Sequence, residues 1–232
     1  MAKKGLQGTW PQALLTFFAP FIIFLGVRWC IMEPFVIPSG SMIPTLMVHD
    51  HVVVTKYSYG LKVPFTDKWL ARWATPHRGD VVVFKYPLNP DVFYIKRLVG
   101  LPGDKVEVKQ GKVTVNGQPW AVEPLPEKGS DENEDFDYFI EQSENVRHRV
   151  RFLKERGFDS DSTHVVPEKN YFFMGDNRDQ SSDGRVFGFV DETLIVGPAK
   201  FIWLSCEETL QSAQFICNPR TIRWNRLFSN VE

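Results

Sequence analysis

From Trp10 to Ile31 the chain is apolar apart from Gln12, Thr16 and Arg28. A helix of that length rises about 33 Å, enough to span the hydrocarbon core of a bilayer. This run sets the first architectural choice: a membrane anchor at 10–31 with one body outside it. Pro11 suits a first helical turn, Pro20 is tolerated inside a membrane helix, and Arg28 lies near enough to the end to extend its charge to the headgroups. Lys3 and Lys4 ahead of the run place residues 1–9 in the cytoplasm and the body on the outer side. A cleaved secretory signal would start similarly, but Val27-Arg28-Trp29-Cys30 has no small-x-small cleavage site, so an uncleaved, single-pass anchor is expected.

Past the anchor the chain reads as strands and turns. Short β-branched runs occur at His51 to Thr55, Asp80 to Tyr86, Phe93 to Val99, Lys105 to Lys109 and Lys112 to Val115. Gln110-Gly111 and Asn116-Gly117 are hairpin signals, and Leu101-Pro102-Gly103-Asp104 is another tight turn. A mainly β, antiparallel body is predicted. Between Glu123 and Glu144 the composition turns acidic and polar, then basic from Arg147 to Arg156, which reads as an insertion. The acidic run is expected to be a solvated face without calcium-loop spacing, and the basic piece the one short soluble helix. A net charge of -1 argues against a nucleic-acid partner.

Cys206 and Cys217 lie in the outward-facing body, separated by a short polar segment, and in an oxidising compartment they can close a small disulfide loop. Two reduced cysteines in a hairpin is the alternative. Cys30, at the membrane edge, is left over.

Several kinds of chemistry can be struck out. Ser41 lacks the flanking glycines of a nucleophile elbow, and there is no Ser-x-x-Lys, no His-Glu-x-x-His, no phosphate loop and no dinucleotide motif. The histidines at 49, 51, 77, 148 and 164 show neither ligand-like nor triad-like spacing and are expected at surfaces or turns. Lys96 is physically odd, because it sits in Val92-Phe93-Tyr94-Ile95-Lys96-Arg97-Leu98-Val99, where alternation groups it with Tyr94 and Leu98. On an apolar face an amine loses solvation and its pKa falls. At the reference value of about 10.4 only about one lysine in 2,500 is neutral at pH 7, so a base needs a drop of about 2 to 3 units. The snorkelling edge-strand lysine is the bland alternative.

Ser41 lies in Pro38-Ser39-Gly40-Ser41-Met42-Ile43-Pro44-Thr45, where Gly40 lets a substrate backbone approach closely and the prolines stiffen the segment. Gly175-Asp176-Asn177-Arg178-Asp179-Gln180-Ser181-Ser182-Asp183-Gly184-Arg185 comes after an apolar strand-like run and is expected to fold back on itself through carboxylate–guanidinium pairs.

Together these stretches resemble type I signal peptidases, the membrane-anchored Ser-Lys proteases of protein export. The resemblance covers the anchor, Phe35 to Leu46, Arg78 to Pro87, Tyr94 to Asp104 and Gly175 to Val190, in the family's order. It implies the fold shared with self-cleaving SOS-response repressors: a catalytic β core at 32–106 and 171–232, with a second β subdomain inserted at 107–170. By position, Ser41 would be the nucleophile and Lys96 the general base, with the Ser41 amide and Ser39 hydroxyl forming the oxyanion hole. Ser181 would orient the amine, and Asp183 with Arg185 would form a structural ion pair. Ile37, Met42, Tyr94 and Ile95 fall where pockets for small side chains are lined. The implied reaction is cleavage of secretory precursors after small-x-small sites through an acyl-enzyme, without metal or cofactor. It would take place at the outer face of a bacterial inner membrane, against lipid and near the secretion channel. Gln180 and Gly184 depart from the commonest pattern, and the cysteine pair is not family-wide. SOS repressors lack an anchor and carry a DNA-binding module; a conjugation-system peptidase and an anchored scaffold with a degenerate site stay open as alternatives.

Overall fold

The computed structural model describes residues 9–63, 66–125, 133–143, 146–155, 161–211 and 213–231, the side chains at 23–25, 27–30 and 214 excepted. Helix α1 (Trp10–Cys30) leads into antiparallel sheets, and helix α2 (Gly184–Phe187) is a single turn. Among the described residues no helix is long and apolar enough to cross a membrane. Helix α1 occupies the expected anchor, and several of its side chains are among those excepted.

The main sheet runs in the order Met32–Val36, Asp50–Thr55, Ile195–Ser205, Val81–Tyr86, Asn89–Gly100, Asn170–Met174, Val190–Asp191, and Ser229–Asn230 also pairs with Ile195–Ser205. Its centre is covered on both faces. Val81 to Phe84 is buried throughout, and the pleat divides it: Val81 and Val83 pack with Ile37, Val52, Val54 and Ile95, while Val82 and Phe84 pack with Leu98, Tyr171 and Phe173. Register pairs Val82 with Lys96 and Phe84 with Tyr94, which puts Lys96 on the face of Tyr94 and Leu98.

Lys105–Lys109, Lys112–Val115, Gln118–Pro119 and Ser162–Val165 form a four-stranded sheet, so the expected boundary at 107 falls inside a strand. Valines 106, 108, 113 and 115 pack there with Phe172 and Met174 of the main sheet, and the two sheets share one core. Gln110, Gly111, Asn116 and Gly117 all have positive φ, as a type I′ turn requires, and Gly103 has φ 87° in the turn before them. Ala121–Pro124, Phe136–Gln142 and Arg147–Leu153 form a three-stranded sheet.

Two expectations fail here. The basic stretch is a strand, not a helix: Arg147 to Val150 alternate exposed and buried, and Arg151 and Phe152 beyond them are both buried. His51 and His148 are buried rather than at the surface, His51 against Trp203 and His148 against Trp120. Part of the acidic run, residues 126–132, lies outside the described residues. Cys206 and Cys217 are joined by a disulfide, S–S 2.08 Å.

Candidate active site

Ser41 sits in a 3-10 turn, Gly40–Met42, anchored by the fully buried Met42. Asn177 holds the same turn from the opposite side, its amide donating to the Ser41 carbonyl (3.2 Å) and its Nδ2 to the Gly40 carbonyl (2.9 Å). Lys96 projects from the middle of Asn89–Gly100 and is 4% exposed. Its Nζ donates to Ser41 Oγ at 2.6 Å and to the Ile95 carbonyl at 3.1 Å. Ser39 Oγ lies 3.4 Å from Ser41 Oγ. The hydroxyl and the amine open on a cleft of about 450 Å³, also lined by Phe93, Tyr94, Ile95 and Gln180. Ile37 and Met42 lie in the core cluster with Ile95 rather than in the cleft lining.

Loss of hydration pushes the Lys96 amine down to about 8, against the pull of Asp183 and Asp176, whose charges raise it. Both carboxylates are buried and bound elsewhere. Asp183 accepts Arg185 Nε and Nη2, each at 2.9 Å, and the Gly175 amide at 2.9 Å, so the 175–185 segment folds back on itself. Asp176 takes Arg97 in bidentate fashion, Nε at 2.9 Å and Nη2 at 2.8 Å, and accepts the Thr45 hydroxyl at 2.5 Å. Arg97 and Asp176 were not singled out from the sequence, although a second cation beside Lys96 in an apolar strand was a signal of the same kind. Gly175 is required by crowding: a Cβ there would collide with Ser181 Oγ and the Ser41 carbonyl. Ser181 Oγ is thereby placed beside the turn that carries Ser41, buried and without a hydrogen-bond partner among the described residues.

One group of metal-ligating types gathers among the described residues, His51 with Cys206 and Cys217 within 4.8 Å of one another, but the two sulfurs are bonded to each other. What the cleft offers is a serine hydroxyl within hydrogen-bond reach of a desolvated amine, with further hydroxyl and amide groups beside them.

The family model for signal peptidase, peptidase S26, matches residues 10–204. A signal peptidase I of Buchnera aphidicola subsp. Acyrthosiphon pisum is 36% identical over 94% of this chain and 81% of its own length. One from Pseudomonas fluorescens is 41% identical over 83% and 72%. A crystal structure of a signal peptidase I from Enterococcus faecalis V583 is 30% identical, covering 53% of this chain and 96% of that one, with a TM-score of 0.37. The chain belongs to the signal peptidase family, peptidase S26. Membership makes it a hydrolase of the serine endopeptidase class, in a membrane-associated family that cleaves signal peptides.

Proposed function

We propose that the protein cleaves signal peptides with Ser41 as nucleophile and Lys96 as general base, after small-x-small sequences, from an anchor at 10–31. The observation that carries this reading is an amine 2.6 Å from a serine hydroxyl, both side chains largely buried at the edge of the cleft. Neutral Lys96 accepts the Ser41 proton as Oγ attacks the scissile carbonyl. The Ser41 amide and Ser39 hydroxyl hold the oxyanion, and the Lys96 ammonium then protonates the leaving amine. Lys96 next takes a proton from the water that attacks the acyl-enzyme carbonyl, then returns it to Ser41 Oγ as the ester bond breaks, which frees the acid product and restores the neutral amine. Ser181, packed against Gly175, would orient the amine by turning its unpartnered hydroxyl toward Lys96, while the Asp183–Arg185 pair holds the segment that carries it.

Tyr94 and Ile95 narrow the cleft where the side chain before the cut would enter, with Ile37 and Met42 fixing the wall behind. The core of 32–106 and 171–232 holds these groups, and 107–170 is an insertion whose first sheet packs into that core rather than standing apart from it. The anchor reading rests on the sequence and on helix α1, along which Trp10, Leu15, Phe17 and Ile22 are exposed, an apolar surface that lipid would cover. Pro34, Val36 and Trp203 line an apolar hollow beside exposed Phe215, only a few residues beyond the anchor, and would rest at the lipid interface. The chain would then span a bacterial inner membrane once, with its site outside, near the secretion channel.

Detergent-solubilised protein incubated with a secretory precursor, with the new amino terminus sequenced, tests the activity. A product whose cut does not come after a small residue would overturn the specificity. For the anchor, a long Gly/Ser spacer belongs before Ile31, because Met32–Val36 is already paired to Asp50–Thr55 and the Ile31 carbonyl takes the Lys56 amide. Such a spacer should slow cleavage of membrane-embedded precursors while sparing a soluble peptide; equal rates on both would reduce the anchor to a tether.

A further inference from the structure

No residue of the three-stranded sheet lines the cleft among the described residues, yet its strand Arg147–Leu153 lies along the turn that holds Ser41. The Arg151 amide donates to the Asp176 carbonyl (3.0 Å), the Leu153 amide to Asp179 Oδ2 (2.7 Å), and Arg151 bridges Asn177 in parallel. Beneath these contacts is a buried ionic cage. Arg178 Nη1 donates to Glu141 Oε1 at 2.7 Å and to the Gly111 carbonyl at 2.6 Å, and its Nη2 donates to Glu141 Oε2. Asp176 is held by Arg97 and Thr45. Between the two carboxylates stands His148, with Nε2 3.2 Å from Glu141 Oε2 and 3.7 Å from Asp176 Oδ1. The His148 and Glu141 side chains are 0% exposed and come from the inserted sheet; Asp176, Arg178 and Arg97 come from the core.

Two guanidiniums already balance two carboxylates, so a third full charge in the cage would have no partner, and an aliphatic side chain would leave the gap between the carboxylates unbridged. A neutral imidazole meets both conditions. Burial and Arg97 push His148 down, against the upward pull of Glu141 and Asp176, and Arg178 with His148 holds Glu141 down at about 2 despite its burial.

We infer that His148 is a positioning residue for Ser41: its imidazole, wedged beside Glu141 and Asp176 without an aligned hydrogen bond to either, packs the three-stranded sheet against the 175–179 turn, whose Asn177 fixes the Ser41 carbonyl. The inference rests on Ser41 being the nucleophile. Misplacement of a reacting group by about 1 Å costs about 100-fold in rate. This packing therefore acts on turnover, with substrate binding in the cleft untouched.

The test compares His148→Leu, His148→Gln and Ser41→Ala in the full, detergent-solubilised chain, tracking precursor cleavage, acylation of Ser41 by a small serine-directed reagent, and thermal unfolding. His148→Leu should lower kcat about 10- to 100-fold and slow acylation by the same factor, with KM within about twofold. His148→Gln, which keeps a neutral polar side chain of similar reach beside the two carboxylates, should recover most of the rate. Unchanged kcat in a folded His148→Leu, or a Gln variant no better than Leu at equal stability, would overturn the inference. Should His148→Leu fail to fold, Asp179→Ala removes only the Leu153 tether and should lower kcat about 3- to 10-fold without moving KM; no change there overturns it equally. Full activity in Ser41→Ala would remove the nucleophile assignment and this inference together, whereas a dead Ser41→Ala beside a fully active His148→Leu removes this inference alone.

Discussion

Lys62 and Lys96 are both pushed down to about 8, and in both the main cause is loss of hydration. Their partners differ. Lys62 leaves the Gly60–Lys62 hairpin strand to donate to the carbonyls of Thr193 and Ile195, each at 2.6 Å, with its Nζ 4.8 Å from the Trp69 ring centre. Lys96 donates to one carbonyl and to a serine hydroxyl. When Lys62 loses its proton, the free lone pair meets carbonyl oxygens that have no proton to give. When Lys96 loses its proton, the lone pair meets Ser41 Oγ–H. Desolvation makes an amine available as a base, and the neighbour decides whether it has anything to deprotonate.

The sharpest attempt to break this contrast is a pair of substitutions read by precursor cleavage. Ser41→Ala and Lys96→Met should each lose about 10⁴-fold or more in kcat, with the fold intact, because in the proposed mechanism each removes half of one proton-transfer unit. Lys62→Met should stay within about threefold of the parent. Lys96→Arg should be as inactive as Lys96→Met, since a guanidinium does not deprotonate near neutrality. Equal losses at Lys62 and Lys96 would erase the distinction between clamp and base.

Below about pH 8 the rate should fall tenfold per unit, because the proposed mechanism uses only neutral Lys96 and the protonated fraction dominates there. Lys62→Met should leave that limb in place. A limb near 10, or one that moves with Lys62, would sink the assignment. Smaller in effect is the pocket wall: Ile95→Ala should relax the preference for alanine over bulkier side chains before the cut by about 1 to 3 kcal/mol, measured as a ratio of kcat/KM values. Phenylalanine cleaved as fast as alanine by the parent protein would contradict the wall.

Stability gives the smallest effect. Lys62→Met leaves two carbonyls without their donor and should cost about 1 kcal/mol in chemical denaturation at pH 7. Both folded-state values lie below the solution value of 10.5, so unfolding takes up protons between about 8 and 10.5 and the fold gains stability as pH rises through that window. Lys62→Met should flatten part of that gain; an unchanged pH dependence would mean that Lys62 is not desolvated.

The strands were legible wherever a β-branched run ended in a turn of defined chemistry: Lys105–Lys109 and Lys112–Val115 stand where expected, joined through Gln110-Gly111. In Arg147–Leu153 charge density hid the alternation that makes it a strand; its buried face is made of His148, Val150 and Phe152, and one of those is polar. In the site, Lys96 was legible because a cation in an apolar strand is anomalous on its own. Glu141 and His148 lie in surroundings already polar, so neither looked out of place. Nothing local to either residue records that Arg178 and Asp176 would come to meet them.

By itself the chain determined what depends on near neighbours: the apolar run at 10–31, the pleat that sets Lys96 beside Tyr94 and Leu98, the hairpins whose turns need positive φ, and the stiff Ser41 segment. These are short-range matters of sterics, periodicity and solvation, written within a few residues. Only the tertiary structure decided that Lys96 and Ser41, 55 residues apart, come to 2.6 Å, while Lys62 meets only carbonyls. It also decided that a histidine from the three-stranded sheet stands between two carboxylates. Such encounters depend on strand order and register across the whole sheet, where one residue of slip turns every side chain to the other face; a local pattern fixes each strand's faces but not the strand that will lie beside it.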